Sequence, residues 1–203
     1  MSQEIKVSII TITYNGLAET CQLLDTIPLH TPGLEVIVVD NASIIDEASA
    51  ISQRYPFVRT IRNSENNGFA GGNNIGIEAA HGEYLYFINN DTEFHPFDIT
   101  PLVQLLESNP MIGGVCPKIR FTWDSKPIQY VGYTPLNPIT LRNHAIGFNE
   151  PDKGQYTKAH QTPYLHGAAM MVKRKAIDIV GLMPMCYFLY YEELDWSIMF
   201  RRA

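Results

Sequence analysis

The sequence predicts an α/β fold built on a mostly parallel central sheet with helices on both faces. Three observations carry this. The runs VSIITIT at 7–13 and LEVIVVD at 34–40 are apolar almost throughout, as strands covered on both faces must be. They alternate with stretches of helical spacing, the strand, helix, strand rhythm of parallel units. Several end on turn-forming residues such as Tyr14-Asn15-Gly16 and Asn89-Asn90-Asp91, at the carboxyl edge where open α/β sheets place ligands.

The elements follow in order. After the first strand, Leu17, Cys21, Leu24 and Ile27 recur at helical spacing until Pro28 stops the pattern. The strand at 34–40 leads to a helix around 44–54, a strand at 57–62, a glycine-containing helix around 71–80 and a strand at 83–88. This makes a Rossmann-like first half. Beyond Asp91 a helix is expected over 97–109 and a strand over 112–119, after which Pro and turn residues interrupt 122–163, a region expected to shape a site beside the sheet. A strand at 168–173, a short helix at 174–181 and a helix starting at 192 complete the chain. That last pattern reaches Arg201-Arg202-Ala203 without a glycine stop, so residues 1–203 are expected to be a single domain truncated at its C-terminus.

Composition narrows the function. With 203 residues, 45% of them hydrophobic and 18% charged, the chain can bury roughly 70% of its extended surface and is not a disordered one. A net charge of -6 without a long basic cluster disfavours nucleic acid as a partner. Cys21, Cys116 and Cys186 are odd in number and lack metal or redox spacing, which suggests reduced thiols and a cytoplasmic location. The opening Met1–Lys6 has no leader character, and no run reaches the 18 to 20 apolar residues of a membrane span. Peripheral association at the inner face of the cell membrane stays open. Nothing in the sequence signals an oligomeric state.

The first turn is Thr13-Tyr14-Asn15-Gly16 rather than GxGxxG, which removes the main support for a dinucleotide. Asp40, at the second strand's end, can accept from a base or ribose; equally, Asp40, Asn41 and Ser43 can cap the following helix. Residues 65–76, ENNGFAGGNNIG, combine four glycines with four asparagines, suited to bringing amides close to a ligand or to packing a helix tightly on the sheet. In YFINNDTEF at 86–94, Asp91 could hold a divalent ion against a diphosphate or form an ordinary Asx turn. FLYYEELDW at 188–196 places Glu192, Glu193 and Asp195 at a helix start, where one could act as general base or all three could be a solvated first turn. Tyr187, Phe188, Tyr190 and Tyr191 suit a sugar platform, though burial is their commoner use. Met170 and Met171 read as core. His30, His81, His95, His144 and His160 show no metal spacing.

The ordered set TYNG, VVDNAS, NNGFAGGNNIG, NNDTEF and YYEELD resembles a family-2 inverting glycosyltransferase of the GT-A fold, in particular bacterial enzymes of polysaccharide assembly that include rhamnosyltransferases. The resemblance implies a nucleotide pocket formed by Thr13, Tyr14, Asn15, Asp40, Asn66, Gly68, Asn74, Asn89 and Asn90. It implies Asp91 as ligand to Mg or Mn, His166 and Gly167 facing the acceptor, and Glu193 as base with Glu192 and Asp195 in support. Asn89 stands where the family has the first acidic residue of its DxD-like element, Glu193 where it often has Asp, and Met199 where a basic residue is frequent. The implied partners are a nucleotide-diphosphate sugar and a saccharide or lipid-linked saccharide acceptor, in polysaccharide or cell-envelope glycan synthesis. Two rival readings are a non-catalytic nucleotide-sugar-binding or interaction domain, motivated by those departures, and a sugar nucleotidyltransferase.

Overall fold

A computed structural model of the chain describes residues 5–123 and 125–203. The first four residues of the Met1–Lys6 opening lie outside them. In chain order the elements are β1 (Val7–Thr13), α1 (Leu17–Asp25), β2 (Leu34–Asp40), α2 (Glu47–Arg54), β3 (Val58–Arg62), α3 (Gly68–Ala79), β4 (Tyr84–Ile88), α4 (Thr100–Ser108), β5 (Gly114–Val115), β6 (Ile119–Arg120), β7 (Ile128–Tyr130), β8 (Ala169–Lys173), α5 (Arg174–Val180) and α6 (Glu192–Arg202).

The main sheet has the order β3-β2-β1-β4-β8-β5. Its first four strands are parallel, β8 runs antiparallel to β4, and β5 pairs antiparallel with β8. The chain first builds outward from β1 through β2 to β3 and then returns to lay β4 on the other side of β1. A crevice therefore opens at the carboxyl ends of β1 and β4, the switch point of the sheet.

Alternation along each strand divides the core. Ile9, Val36, Val38, Tyr86 and Met171 pack on one face with Leu23 and Leu24 of α1, Ile51 of α2 and Leu106 of α4. Ile10, Ile37, Val39, Phe87 and Met170 pack on the other with Ala70 and Ile77 of α3, Ile177 of α5 and Trp196 of α6. Both expected core methionines are fully buried. Gly72 and Gly76 bring α3 onto β1, since a Cβ at either would run into Ile12 or Ile10. Their role is close packing, the plainer of the two uses open to the glycine-rich segment.

Some boundaries move for identifiable reasons. The helix expected from 44 begins at Glu47, because Asp46 caps it by accepting from the Ser49 N–H at 2.9 Å, leaving Ile44 and Ile45 exposed in the preceding turn. The helix expected from 71 begins at Gly68, and the one expected over 97–109 begins at Thr100 with Pro101 in its first turn. The single strand expected over 112–119 is two: Pro117 cannot donate to a ladder, so β5 stays with the main sheet while β6 leaves it to pair with β7.

A Cβ at Gly82 would lie 2.6 Å from the Ser8 backbone nitrogen, which no rotamer change can relieve. Gly82→Ala is expected to lower stability by about 1–3 kcal/mol, read as a lower urea midpoint at unchanged slope.

Candidate active site

The crevice holds a cavity of about 360 Å³ lined by the ends of β1 and β4 (Ile12, Tyr14, Ile88, Asn89, Asn90), by Asn41 after β2, by the start of α3 (Asn66, Gly68, Phe69, Asn73) and by Phe188 and Leu189. A second cavity of about 390 Å³ lies away from it, against α2 and β3, with Arg62 and Asp46 in its wall. Arg62 there pairs with Asp46 at 3.1 Å.

Of the residues expected at a nucleotide, Tyr14, Asn66, Gly68, Asn89 and Asn90 come to the first cavity. The side chains of Thr13, Asn15, Asp40 and Asn74 are engaged within the protein. The Thr13 hydroxyl donates to Glu47 at 2.5 Å. Asn15, at φ +55°, accepts from the Ile44 N–H. Asp40 is fully buried and accepts from the Ser43 N–H and, at 3.4 Å, from the Ala48 N–H in the first turn of α2, whereas the cap position itself, one of the uses expected of Asp40, belongs to Asp46. Asn74 clamps Met183, donating to its carbonyl at 3.0 Å and accepting its N–H at 2.9 Å. Asn90 faces the cavity but also turns its amide toward the Thr20 hydroxyl at 3.1 Å, fastening the end of β4 to α1.

Two positioning residues were not legible as such. Glu47, 2% exposed, accepts from Thr13, from the Gly16 N–H at 3.3 Å and from the Leu17 N–H at 3.1 Å. It braces the first turn and caps α1 from another helix. Asn41 ties the end of β2 to the loop before α3. An acidic residue in a helix's first turn and an Asn after a strand have ordinary local explanations, which hide contacts made 25 to 34 positions away.

The first turn of α6 carries Glu193. Trp196 buries its ring edge-on to Phe87 with centroids 5.7 Å apart and donates its indole N–H to the Gly181 carbonyl, which fixes the rotation of the helix. Ser197 accepts from the Leu165 N–H at 2.9 Å and donates to the Glu193 carbonyl at 2.6 Å, so the first turn of α6 is tied to the segment leading to His166 and Gly167. A Cβ at Gly167 would meet the Phe69 ring at 3.5 Å and the Glu193 carboxyl carbon at 3.8 Å. The structure thus gathers Glu193, Gly167 and Phe69.

Burial pushes the Glu193 carboxyl up to about 7, with the neighbouring charge of Glu192 adding to the effect. Glu192 is itself buried, its Oε2 has no protein partner among the described residues, and burial raises it too. Asp195 is half-buried beside the Tyr187 hydroxyl at 3.5 Å. An entirely solvated acidic turn is therefore not what forms.

His166 accepts from the Ala168 N–H through Nδ1 at 3.1 Å, and burial lowers it to about 4, so the ring is neutral with its proton on Nε2. It lies parallel to Tyr133, 5.7 Å away, and tilted against Tyr130. Phe188, Tyr190 and Tyr191 are all more than half exposed, so the use of these rings for burial gives way to an open aromatic rim. Tyr190 and Tyr191 both adopt left-handed backbone, at φ +71° and +76°, strain placed immediately before the helix that carries Glu193.

Asp91 stands exposed where β4 leaves the sheet. Among the described residues no three His, Cys, Asp or Glu side chains converge as a cation cage. A single carboxylate instead suits a hard ion that takes most of its oxygens from a ligand and water. No helix among the described residues is long and apolar enough to cross a membrane.

The sequence profile of glycosyl transferase family 2 matches residues 8–180. An uncharacterized glycosyltransferase of Haemophilus influenzae is 34% identical over 131 residues, 60% of this chain and 44% of that protein. An N-acetylglucosaminyl-diphospho-decaprenol L-rhamnosyltransferase of Mycobacterium tuberculosis is 24% identical over 92% of this chain and 67% of its own length. The chain spans about half the length of the first curated relatives it matches. Among solved structures, a mannosyltransferase from Pyrobaculum calidifontis in complex with GDP-Man and Mn2+ superposes with a TM-score of 0.61 at 23% identity, covering 91% of this chain and 49% of that one. That likeness establishes the fold, the α/β GT-A arrangement.

The raised Glu193 carboxyl has a consequence for stability. Its folded value of about 7 exceeds the unfolded 4.5, so the folded state holds the proton more tightly and stability declines as pH rises between those values. Glu193→Gln removes that loss. Thermal melts are expected to show the variant more stable than the parent at pH 8, with the gap closing toward pH 4.5; a gap independent of pH would contradict the burial of this carboxyl.

Proposed function

The chain belongs to glycosyl transferase family 2, and on that premise we propose that it transfers a sugar from a nucleotide-diphosphate donor to an acceptor hydroxyl with inversion at the anomeric carbon. The observation that carries the reading is Glu193: a carboxylate with a value near 7, gathered with the small residue Gly167 and with Phe69 of the cavity wall.

The acceptor hydroxyl attacks the anomeric carbon, its proton passes to Glu193, the bond from that carbon to the diphosphate breaks, and the nucleoside diphosphate leaves. A base with this value is substantially ionised at neutral pH yet basic enough to take a proton as the new bond forms. Placing donor and acceptor in one cleft supplies the orientation that a bimolecular reaction lacks. His166, neutral with an Nε2 proton to donate, and Gly167, which leaves space, serve the acceptor side. Glu192 and Asp195 support the base through charge and the tie to Tyr187. On the donor side Tyr14, Asn66, Gly68, Asn89 and Asn90 meet the nucleotide directly, whereas Thr13, Asn15, Asp40 and Asn74 hold the frame.

Asp91 would hold Mg or Mn. When bound, such an ion would supply neutralisation of charge on the leaving diphosphate. The likeness to the mycobacterial rhamnosyltransferase supports a deoxyhexose such as rhamnose as the sugar and a saccharide or lipid-linked saccharide as acceptor, in cell-envelope or other polysaccharide synthesis on the cytoplasmic side.

Single-turnover transfer from dTDP-rhamnose and a panel of other nucleotide sugars tests the reading. NMR of the product is expected to show the opposite anomeric configuration from the donor; retention would overturn the direct displacement. The rate is expected to rise with pH through about 7 and then level off. In Glu193→Gln it should fall roughly 100-fold or more with nucleotide affinity preserved. Asp91→Asn should weaken transfer most at limiting metal, and an unchanged metal titration would remove Asp91 from this role.

A further inference from the structure

The mechanism assigns no role to Asn41, which anchors a cluster of amides in the wall of the donor cavity. Asn41 is 2% exposed, and its side chain makes four hydrogen bonds. Its Oδ1 accepts from the Asn67 backbone N–H at 3.2 Å and from the Asn63 amide at 2.8 Å. Its Nδ2 donates to the Gly68 carbonyl at 3.0 Å and to Asn66 Oδ1 at 2.8 Å. Two of these partners are backbone groups that cannot exchange roles, a donor at 67 and an acceptor at 68. The orientation of the Asn41 amide is therefore fixed.

That orientation propagates. Asn66 Oδ1 receives both the Asn41 amide and the Gly68 N–H at 3.0 Å, so the oxygen end of Asn66 must face inward. Its NH2 end has no protein partner among the described residues, and Asn66 lines the 360 Å³ cavity. We infer that Asn41 is a positioning residue that sets the Asn66 amide so that its NH2 is offered to an acceptor oxygen of the donor nucleotide, a ribose hydroxyl or a phosphate oxygen. This rests on the proposed glycosyltransferase reading for the identity of the ligand, while the amide orientation itself does not.

The isosteric change Asn41→Asp keeps the two bonds accepted at Oδ1 and places an acceptor against Asn66 Oδ1 and the Gly68 carbonyl. Asn66→Ala removes the offered amide. Calorimetric titration of UDP, GDP and dTDP in the presence of Mg, first into the parent, identifies which diphosphate binds. For that nucleotide each single change is expected to weaken binding about tenfold or more. Because Asn41 acts through Asn66, the double variant should bind little worse than either single one.

Parent-like affinity of Asn41→Asp would overturn the inference, as would effects that multiply in the double variant, since that would make Asn41 a separate contributor. Asn66→Asp keeps both inward bonds at Oδ1 but replaces the offered NH2 with an oxygen. It should also weaken binding even where Asn41→Asp fails to fold, and parent-like affinity there would equally overturn the assignment. Binding of none of the three nucleotides by the parent would remove the proposed donor reading and this inference with it. Parent binding with insensitive variants removes the inference alone.

Discussion

The site depends on a contact between two backbones. At Gly68, φ is +67° and a Cβ would collide with the Phe188 carbonyl. The next residue, Phe69, donates its N–H to that same carbonyl at 3.1 Å. Only a residue without a side chain lets the start of α3 and the segment before α6 approach this closely. Gly68 and Phe69 from the one segment and Phe188 from the other line the cavity. The spacing between the two segments is therefore set by main chain, which is stiffer than a contact between side chains.

Around that contact, polar side chains divide into those that hold and those that face. Glu47 braces the turn after β1, Asn41 the loop before α3, Asn74 the loop at Met183 and Ser197 the junction of α6 with the segment before His166. Each joins elements distant in sequence and is buried, where an unmade hydrogen bond would cost on the order of 1–3 kcal/mol. Tyr14, Asn66 and Asn89 line the cleft and keep hydrogen-bonding groups free there because these others absorb the demands of the frame. The strained pair Tyr190 and Tyr191 fits the same division, since a left-handed turn there swings the aromatic rim outward while α6 starts inward.

Much of this frame was legible in the sequence. The β-branched runs at 7–13 and 34–40 give the strands their observed bounds, because strands covered on both faces leave continuous apolar runs. The helix from Glu192 to Arg202 also stands where its periodicity puts it. The break at Pro117 does not show in the sequence pattern, because the residues on either side of it are strand-like and only their partners differ. Within the site, the motif order indicated which segments meet but not which asparagine faces outward. Asn74 shows why: its partner Met183 lies 109 positions away, and no local pattern distinguishes an amide that clamps a distant loop from one that meets a ligand. The half-buried setting of Glu193 is likewise tertiary, since three acidic residues at a helix start look solvated until Trp196 and Ser197 turn the helix inward.

The central claim is that donor and base confront each other across this one cleft, and the structure of the chain with a bound nucleotide-diphosphate sugar and Mn tests it most directly. The account predicts the diphosphate beside Asp91, the nucleotide against Asn66 and Gly68, and the anomeric carbon open toward Glu193 and Gly167. A donor bound with its anomeric carbon turned away from Glu193, or seated in the separate cavity against α2 and β3, would contradict it.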